Sequence, residues 1–70
     1  MEPKNPSPQA KLLRDLRKAT RLSTKEFAKD FNAIPNHISL FEYGRRKIGE
    51  LWARRFGEYF KRDWRDFYEP

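Results

Sequence analysis

Residues 22–46 read LSTKEFAKDFNAIPNHISLFEYGRR, and this stretch predicts two short helices joined by a three-residue turn. Ser23 and Glu26 have the spacing of a capping box, in which each side chain accepts a hydrogen bond from the other residue's backbone N–H. They predict a helix over 24–31. Pro35 suits the first position of a second helix and Gly44 suits a left-handed C-terminal cap, so this helix is predicted over 35–43.

Helix signals also flank this stretch on both sides. Ser7 and Pro8 predict the start of a helix over 8–20, which has leucines at helical spacing. Residues 45–48 form a basic loop, and Gly49 and Glu50 open a fourth helix. On that helix Trp52, Ala53, Phe56 and Phe60 share one face, and Gly57 favours a close crossing. Asp63 can cap a last short helix, on which the apolar residues are Trp64, Phe67 and Tyr68.

The fold class expected from this pattern is all-α, a compact bundle of four to five short helices. No segment alternates with the period of two that is typical of strands. A chain of 70 residues buries only about 60% of its extended surface, so it supports one small core. We therefore expect a flexible N-terminal arm over 1–6, a single domain over 7–68 and a tail over 69–70.

Composition excludes several classes of function. The chain has no Cys and one His, so it lacks the residues for a disulfide scaffold or a His-rich metal site, and we expect no Ser-His-acid triad. No apolar run approaches the roughly 18 residues that cross a bilayer, and no signal peptide is visible. We expect no enzyme activity, no cofactor or metal, no small-molecule ligand and no membrane association.

Charge favours a polyanionic partner. Sixteen Lys and Arg residues stand against ten Asp and Glu residues, which gives a net charge of +6. This surplus alone would suit a solubilising surface almost equally well. The position of the excess cations in the sequence favours a binding role, because they are concentrated between residues 45 and 55. There a single acidic residue, Glu50, accompanies five cations: Arg45, Arg46, Lys47, Arg54 and Arg55.

A family resemblance runs along most of the chain, from about residue 13 to residue 67. The stretch Ile38-Ser-x-Phe-Glu-x-Gly-Arg-Arg46 is its most specific part. The other matching residues are Leu13, Leu16, Arg17, Leu22, Ser23, Glu26, Phe27, Ala28, Phe31, Phe56, Phe60, Asp63, Trp64 and Phe67. In these residues the chain resembles the lambda-repressor/Cro-type helix-turn-helix domains of small phage or plasmid regulators.

The resemblance implies a sequence-specific, double-stranded DNA-binding transcriptional regulator, and we expect a repressor. The helix over 35–43 would enter the major groove. Asn36 matches the hydrogen-bonding edge of adenine, and Leu40 a thymine methyl. His37 would donate to guanine N7 or to phosphate, or be a plain surface histidine. The expected base contacts are Pro35, Asn36, His37 and Leu40. The expected phosphate contacts are Thr24, Lys25, Ser39, Tyr43, Arg45, Arg46 and Lys47.

The resemblance also implies an ion pair between Arg17 and Glu42, which would hold the recognition helix at its docking angle. The alternative is two ordinary surface charges. The sequence departs from the family's pattern at Thr24, where Gln is usual, and at Arg21 and Lys61, where Gly is frequent. Asn32 and Ile34 also depart from it, at the turn and at the cap of the following helix.

One such domain covers half of an inverted repeat, so we expect a homodimer on DNA. Trp52 and Tyr68 are the expected interface residues, and completing the core is the alternative role for the C-terminal aromatic residues. The expected location is the cytoplasm of a bacterial, archaeal or phage-infected cell, at the nucleoid. There are two rival functions. The first is a protein-binding module on the same fold, either an antitoxin or a transcription coactivator. The second is a membrane-surface peptide.

Overall fold

A computed structural model describes residues 7–70, so the arm expected over 1–6 lies outside the described residues. In this range the chain forms α1 (Pro8–Ala19), α2 (Thr24–Asp30), α3 (Pro35–Glu42) and α4 (Glu50–Phe60), followed by a 3-10 turn (Trp64–Asp66). Residues 7–70 contain no strand, which confirms the all-helical prediction. The Cα radius of gyration is 10.8 Å, close to the roughly 11 Å of a compact chain of this length.

Local capping interactions set where the helices begin. The Ser7 hydroxyl accepts a hydrogen bond from the Ala10 N–H, ahead of Pro8 at the first helical position. The capping box of α2 is complete, because Ser23 and Glu26 each accept from the other's backbone N–H. The Asp63 side chain accepts from the Arg65 N–H at the 3-10 turn. These three predicted caps are confirmed.

Left-handed residues lie at or just after the helix ends. Gly44 follows α3 with φ of 70°, as predicted. Three residues with a Cβ take the same conformation, Arg21 at 61°, Asn32 at 55° and Lys61 at 56°. Glycine adopts positive φ without steric cost, whereas these three residues carry a Cβ and are strained in this conformation. Helices α1, α2 and α3 each end one residue earlier than predicted.

The core is largely aromatic. Five phenylalanines are buried, and the Phe27 ring lies 4.9 Å from the Phe31 ring and 6.1 Å from the Phe56 ring. A Cβ on Gly57 would stand 2.7 Å from the Cα of Trp64. The close approach at Gly57 is therefore made by the chain that returns after α4. The buried phenylalanines are Phe27, Phe31, Phe41, Phe56 and Phe67.

The C-terminal segment belongs to the folded domain. The backbone N–H of Glu69 donates to the Ile48 carbonyl at 2.9 Å, and the Gln9 side chain donates to the Tyr68 carbonyl at 3.1 Å. Residues 69–70, which the sequence predicts as a tail, thus form hydrogen bonds with the basic loop. None of the helices in the described range has the length and apolarity needed to cross a membrane.

We predict that Lys61→Gly stabilises the protein by up to about 1 kcal/mol. The left-handed conformation costs a residue with a Cβ roughly 1–2 kcal/mol, and the greater freedom of glycine in the unfolded chain offsets part of that gain. Urea unfolding of the parent and the variant measures the difference. Lys29→Gly, inside α2, is the matched control and should be destabilising by about 0.5–1 kcal/mol. Equal losses for both variants would contradict this account of Lys61.

Candidate functional site

The outer side of α3 and the residues after it form one shallow depression. Ile38 and Phe41 point into the core, while Pro35 and Asn36 are exposed and Leu40 is half-buried. The depression has a volume of about 250 Å³. Its lining consists of residues from the predicted site only: Asn36, Ser39, Leu40, Tyr43 and Arg45. The structure therefore brings together two expected base contacts and three expected phosphate contacts.

The basic loop, residues 45–48, folds back on the last turn of α3. The backbone N–H groups of Arg45 and Arg46 both donate to the Leu40 carbonyl, at 2.9 and 3.2 Å. This turn keeps the loop beside the depression. The side chains of Arg45, Arg46 and Lys47 are exposed, and the Lys47 ammonium donates to the Pro70 carbonyl at 3.2 Å. At the start of α2, Lys25 is exposed and Thr24 is half-buried.

Two of the five cations that suggested a single cluster are engaged elsewhere. Arg54 pairs with Glu50 at 3.1 Å and lies over the Trp64 ring. Arg55 donates to the Phe31 carbonyl at 2.6 Å, at the C-terminal end of α2, and its guanidinium lies 4.5 Å from the centre of the Trp52 ring. Counting charges along the sequence overstated the cluster, because long guanidinium side chains reach carbonyls and rings on neighbouring elements.

Arg17 and Glu42 form the ion pair that the resemblance implies. The Arg17 Nε donates to one carboxylate oxygen at 2.6 Å and Nη2 donates to the other at 3.1 Å. Arg17 Nη1 also donates to the Leu22 carbonyl at 2.8 Å. The Glu42 side chain is only 4% exposed and that of Arg17 12%. These two residues are therefore not ordinary surface charges, and they join α1, the start of α2 and the end of α3.

His37 lies at the edge of the core rather than on the open face of α3. Its ring centre is 4.9 Å from that of Phe41 and 4.8 Å from that of Trp52. Nε2 is buried without a hydrogen-bond partner. Burial, together with the nearby positive charge of Arg46, lowers the pKa of His37 below its usual 6.5. The spacing of four residues between His37 and Phe41 is the signal in the sequence for this stacking.

Both residues expected at a dimer interface have packing partners within the chain. Trp52 is half-buried against the rings of Phe31, His37 and Phe41. Tyr68 is half-buried against Trp64. Among residues 7–70, the large apolar side chains that are exposed are instead Ile34, Leu51 and Tyr59.

Arg14 is a candidate that the sequence reasoning missed. Its guanidinium lies 5.8 Å from the centre of the Tyr43 ring, which places a further cation beside the end of α3. The signal was present in the sequence, since Arg14 precedes Arg17 by three residues on α1 and therefore shares its face.

Comparison of the chain with protein-family models, curated proteins and solved structures gives no match. Over residues 7–70, His, Asp and Glu side chains do not gather in groups of three that could hold a metal ion.

We predict that Glu42→Ala lowers the free energy of unfolding by about 3 kcal/mol, because it leaves the largely buried Arg17 guanidinium without its carboxylate. Glu58→Ala, which removes an exposed carboxylate from α4, should change it by less than about 0.5 kcal/mol. Urea unfolding of the two variants measures the contrast. Equal stabilities would remove the structural role of the pair.

His37 should make stability depend on pH. Its folded-state pKa is below the unfolded value of about 6.5, so the unfolded chain binds more protons between these two values. The contribution of neutral His37 to the free energy of unfolding is therefore fully present above about pH 6.5. It is lost as the pH falls toward the folded-state pKa. His37→Phe keeps a stacked ring without an ionisable group.

Thermal unfolding between about pH 7.5 and about pH 5 spans the ordinary histidine pKa and therefore checks this prediction. The parent should lose stability across this interval and His37→Phe should not. Glu26 and Asp63 also have lowered pKa values, but these groups titrate below their ordinary values of 4.5 and 3.8, outside the interval. Parallel profiles for the parent and the variant would be the contrary result.

Proposed function

We propose that this chain is a helix-turn-helix transcriptional regulator that binds double-stranded DNA sequence-specifically, with α3 as the recognition helix in the major groove. The proposal rests on the surface that the outer side of α3 forms with the basic loop. Exposed or half-exposed polar and apolar groups of α3 line one depression. The basic loop, which follows α3, carries three exposed cations beside it.

The two parts of this surface have different chemistry, and they match two different tasks. Cations and hydroxyl groups bind phosphates, which fixes register and supplies affinity without regard to sequence. An exposed amide and a half-buried leucine can instead contact base edges, so Asn36 and Leu40 are the residues to which we assign discrimination among sequences. Pro35, at the start of α3, is a further base contact in this proposal.

The arrangement of α2 and α3 supports the same proposal. Residues 31–34 separate the two helices. Proline favours an extended conformation in the residue before it, and Ile34 is extended ahead of Pro35, which fixes the direction in which α3 begins. The ion pair of Arg17 with Glu42 then holds the far end of α3. A recognition helix needs a fixed orientation, because base edges are read by hydrogen bonds of defined geometry.

His37 has a modified place in the proposal. Because its Nε2 is buried, a contact from that atom to guanine or phosphate requires the ring to leave its stack with Phe41 and Trp52. We therefore assign His37 to the support of α3 rather than to base recognition.

We further propose that the protein acts as a repressor in the cytoplasm and binds an inverted repeat as a homodimer. Half-sites read by two such helices lie one turn of DNA apart, about 34 Å.

The rival function is a protein-binding module, such as an antitoxin or a coactivator. It is favoured by the side chains of Ile34 and Leu51, which are 65% and 71% exposed. Neither residue lines the depression of α3, so the two functions use different residues.

Substitutions at Arg46 and Asn36 should separate affinity from specificity. Arg46→Ala should weaken binding to all duplex sequences alike and reduce the dependence of log Kd on log salt concentration by about 1, since one phosphate contact is lost. Asn36→Ala should leave that dependence unchanged and relax the preference at one base position. Selection from random duplex DNA, followed by titration over a salt series, measures both.

Arg62→Ala is the matched control, because Arg62 pairs with Asp66 and is outside the proposed surface. It should leave binding unchanged. With about four to six phosphates bound per domain, the parent should show a salt slope of magnitude about 4 to 5. A slope near zero, or the same loss of affinity for Arg46→Ala and Arg62→Ala, would count against the proposal.

A further inference from the structure

We infer that Glu69 is a positioning residue, which holds the basic loop in the conformation that presents its cations to DNA; this inference rests on the proposed function. Glu69 and Ile48 exchange two hydrogen bonds. The Ile48 N–H donates to the Glu69 carboxylate at 2.7 Å, and the Glu69 N–H donates to the Ile48 carbonyl at 2.9 Å. Since the Ile48 side chain is fully buried, this end of the loop is attached both to the core and to the C-terminal segment.

The C-terminal segment can act as a support because the residues just before Glu69 are themselves held by the core and by α1. Before it, the Phe67 side chain is fully buried and the Tyr68 carbonyl accepts a hydrogen bond from Gln9 of α1. After it, the Pro70 carbonyl accepts from the Lys47 ammonium. The basic loop is thus fixed at its first residues by the Leu40 carbonyl and at its last by this segment.

The sign of the Glu69 charge makes the inference testable. A carboxylate beside exposed cations repels a polyanion, so electrostatics alone predicts that its removal strengthens DNA binding. A positioning role predicts the opposite, because the loop loses the acceptor that holds the Ile48 N–H. Two substitutions separate these contributions. Glu69→Gln removes the charge and keeps an oxygen that can accept from Ile48, whereas Glu69→Ala removes both.

The experiment is fluorescence anisotropy of a labelled duplex of arbitrary sequence over a salt series, well below the unfolding temperature of each variant. Glu69→Gln should bind at least as tightly as the parent. Glu69→Ala should bind about three- to tenfold more weakly than Glu69→Gln, as expected for one hydrogen bond. Its salt slope should be smaller by about 1 to 2, because loop cations leave the phosphates. A purely structural role would lower the melting temperature without changing this slope.

Glu58→Ala, which removes an exposed carboxylate from α4, is the charge-matched control and should show neither the weaker binding nor the smaller slope. Hydrogen exchange at the Ile48 amide gives a second measurement without DNA, and it should be faster in Glu69→Ala than in Glu69→Gln. Equal affinities, slopes and exchange rates for these two variants would overturn the positioning role alone. A parent protein that does not bind duplex DNA would overturn the proposed function, and with it the DNA role of Glu69.

Discussion

The Arg17 guanidinium joins its own helix, α1, to two other segments of the chain, and the orientation of α3 depends on it. It extends from α1, binds both oxygens of Glu42 at the end of α3, and donates to the Leu22 carbonyl just before α2. A carboxylate as buried as that of Glu42 is costly unless it is paired, so α3 cannot turn about its axis without breaking this pair. The side of α3 that faces outward, and therefore the composition of the depression, follows from this constraint.

The core of this small chain consists mainly of aromatic rings, and polar side chains pack against those rings. The Trp52 ring contacts both the guanidinium of Arg55 and the ring of His37. Amphipathic side chains of this kind extend a core that is short of aliphatic residues. His37 and Arg55 therefore pack against aromatic rings, whereas the loop cations Arg46 and Lys47 remain exposed beside α3.

The helices were predictable because their limits depend on local signals, as the caps at Ser7 and Ser23 show. Neighbouring residues settle these interactions without any tertiary contact. The partners of long or ring-bearing side chains were not predictable in this way. Arg55 and His37 were assigned to charged or outward surfaces, but their partners come from other elements. The role of the C-terminal segment was missed for the same reason, since Glu69 meets Ile48 only in the folded chain.

The central claim is that the outer face of α3 and the basic loop contact duplex DNA. Titration of the isotopically labelled protein with a duplex, followed through backbone amide chemical shifts, tests it most directly. The account predicts that the largest changes fall on residues 24–25 and 35–47, with Asn36 and Arg46 among them, and that Leu51 and Tyr59 shift little. Changes centred on Ile34, Leu51 and Tyr59, with α3 and the basic loop unaffected, would contradict it.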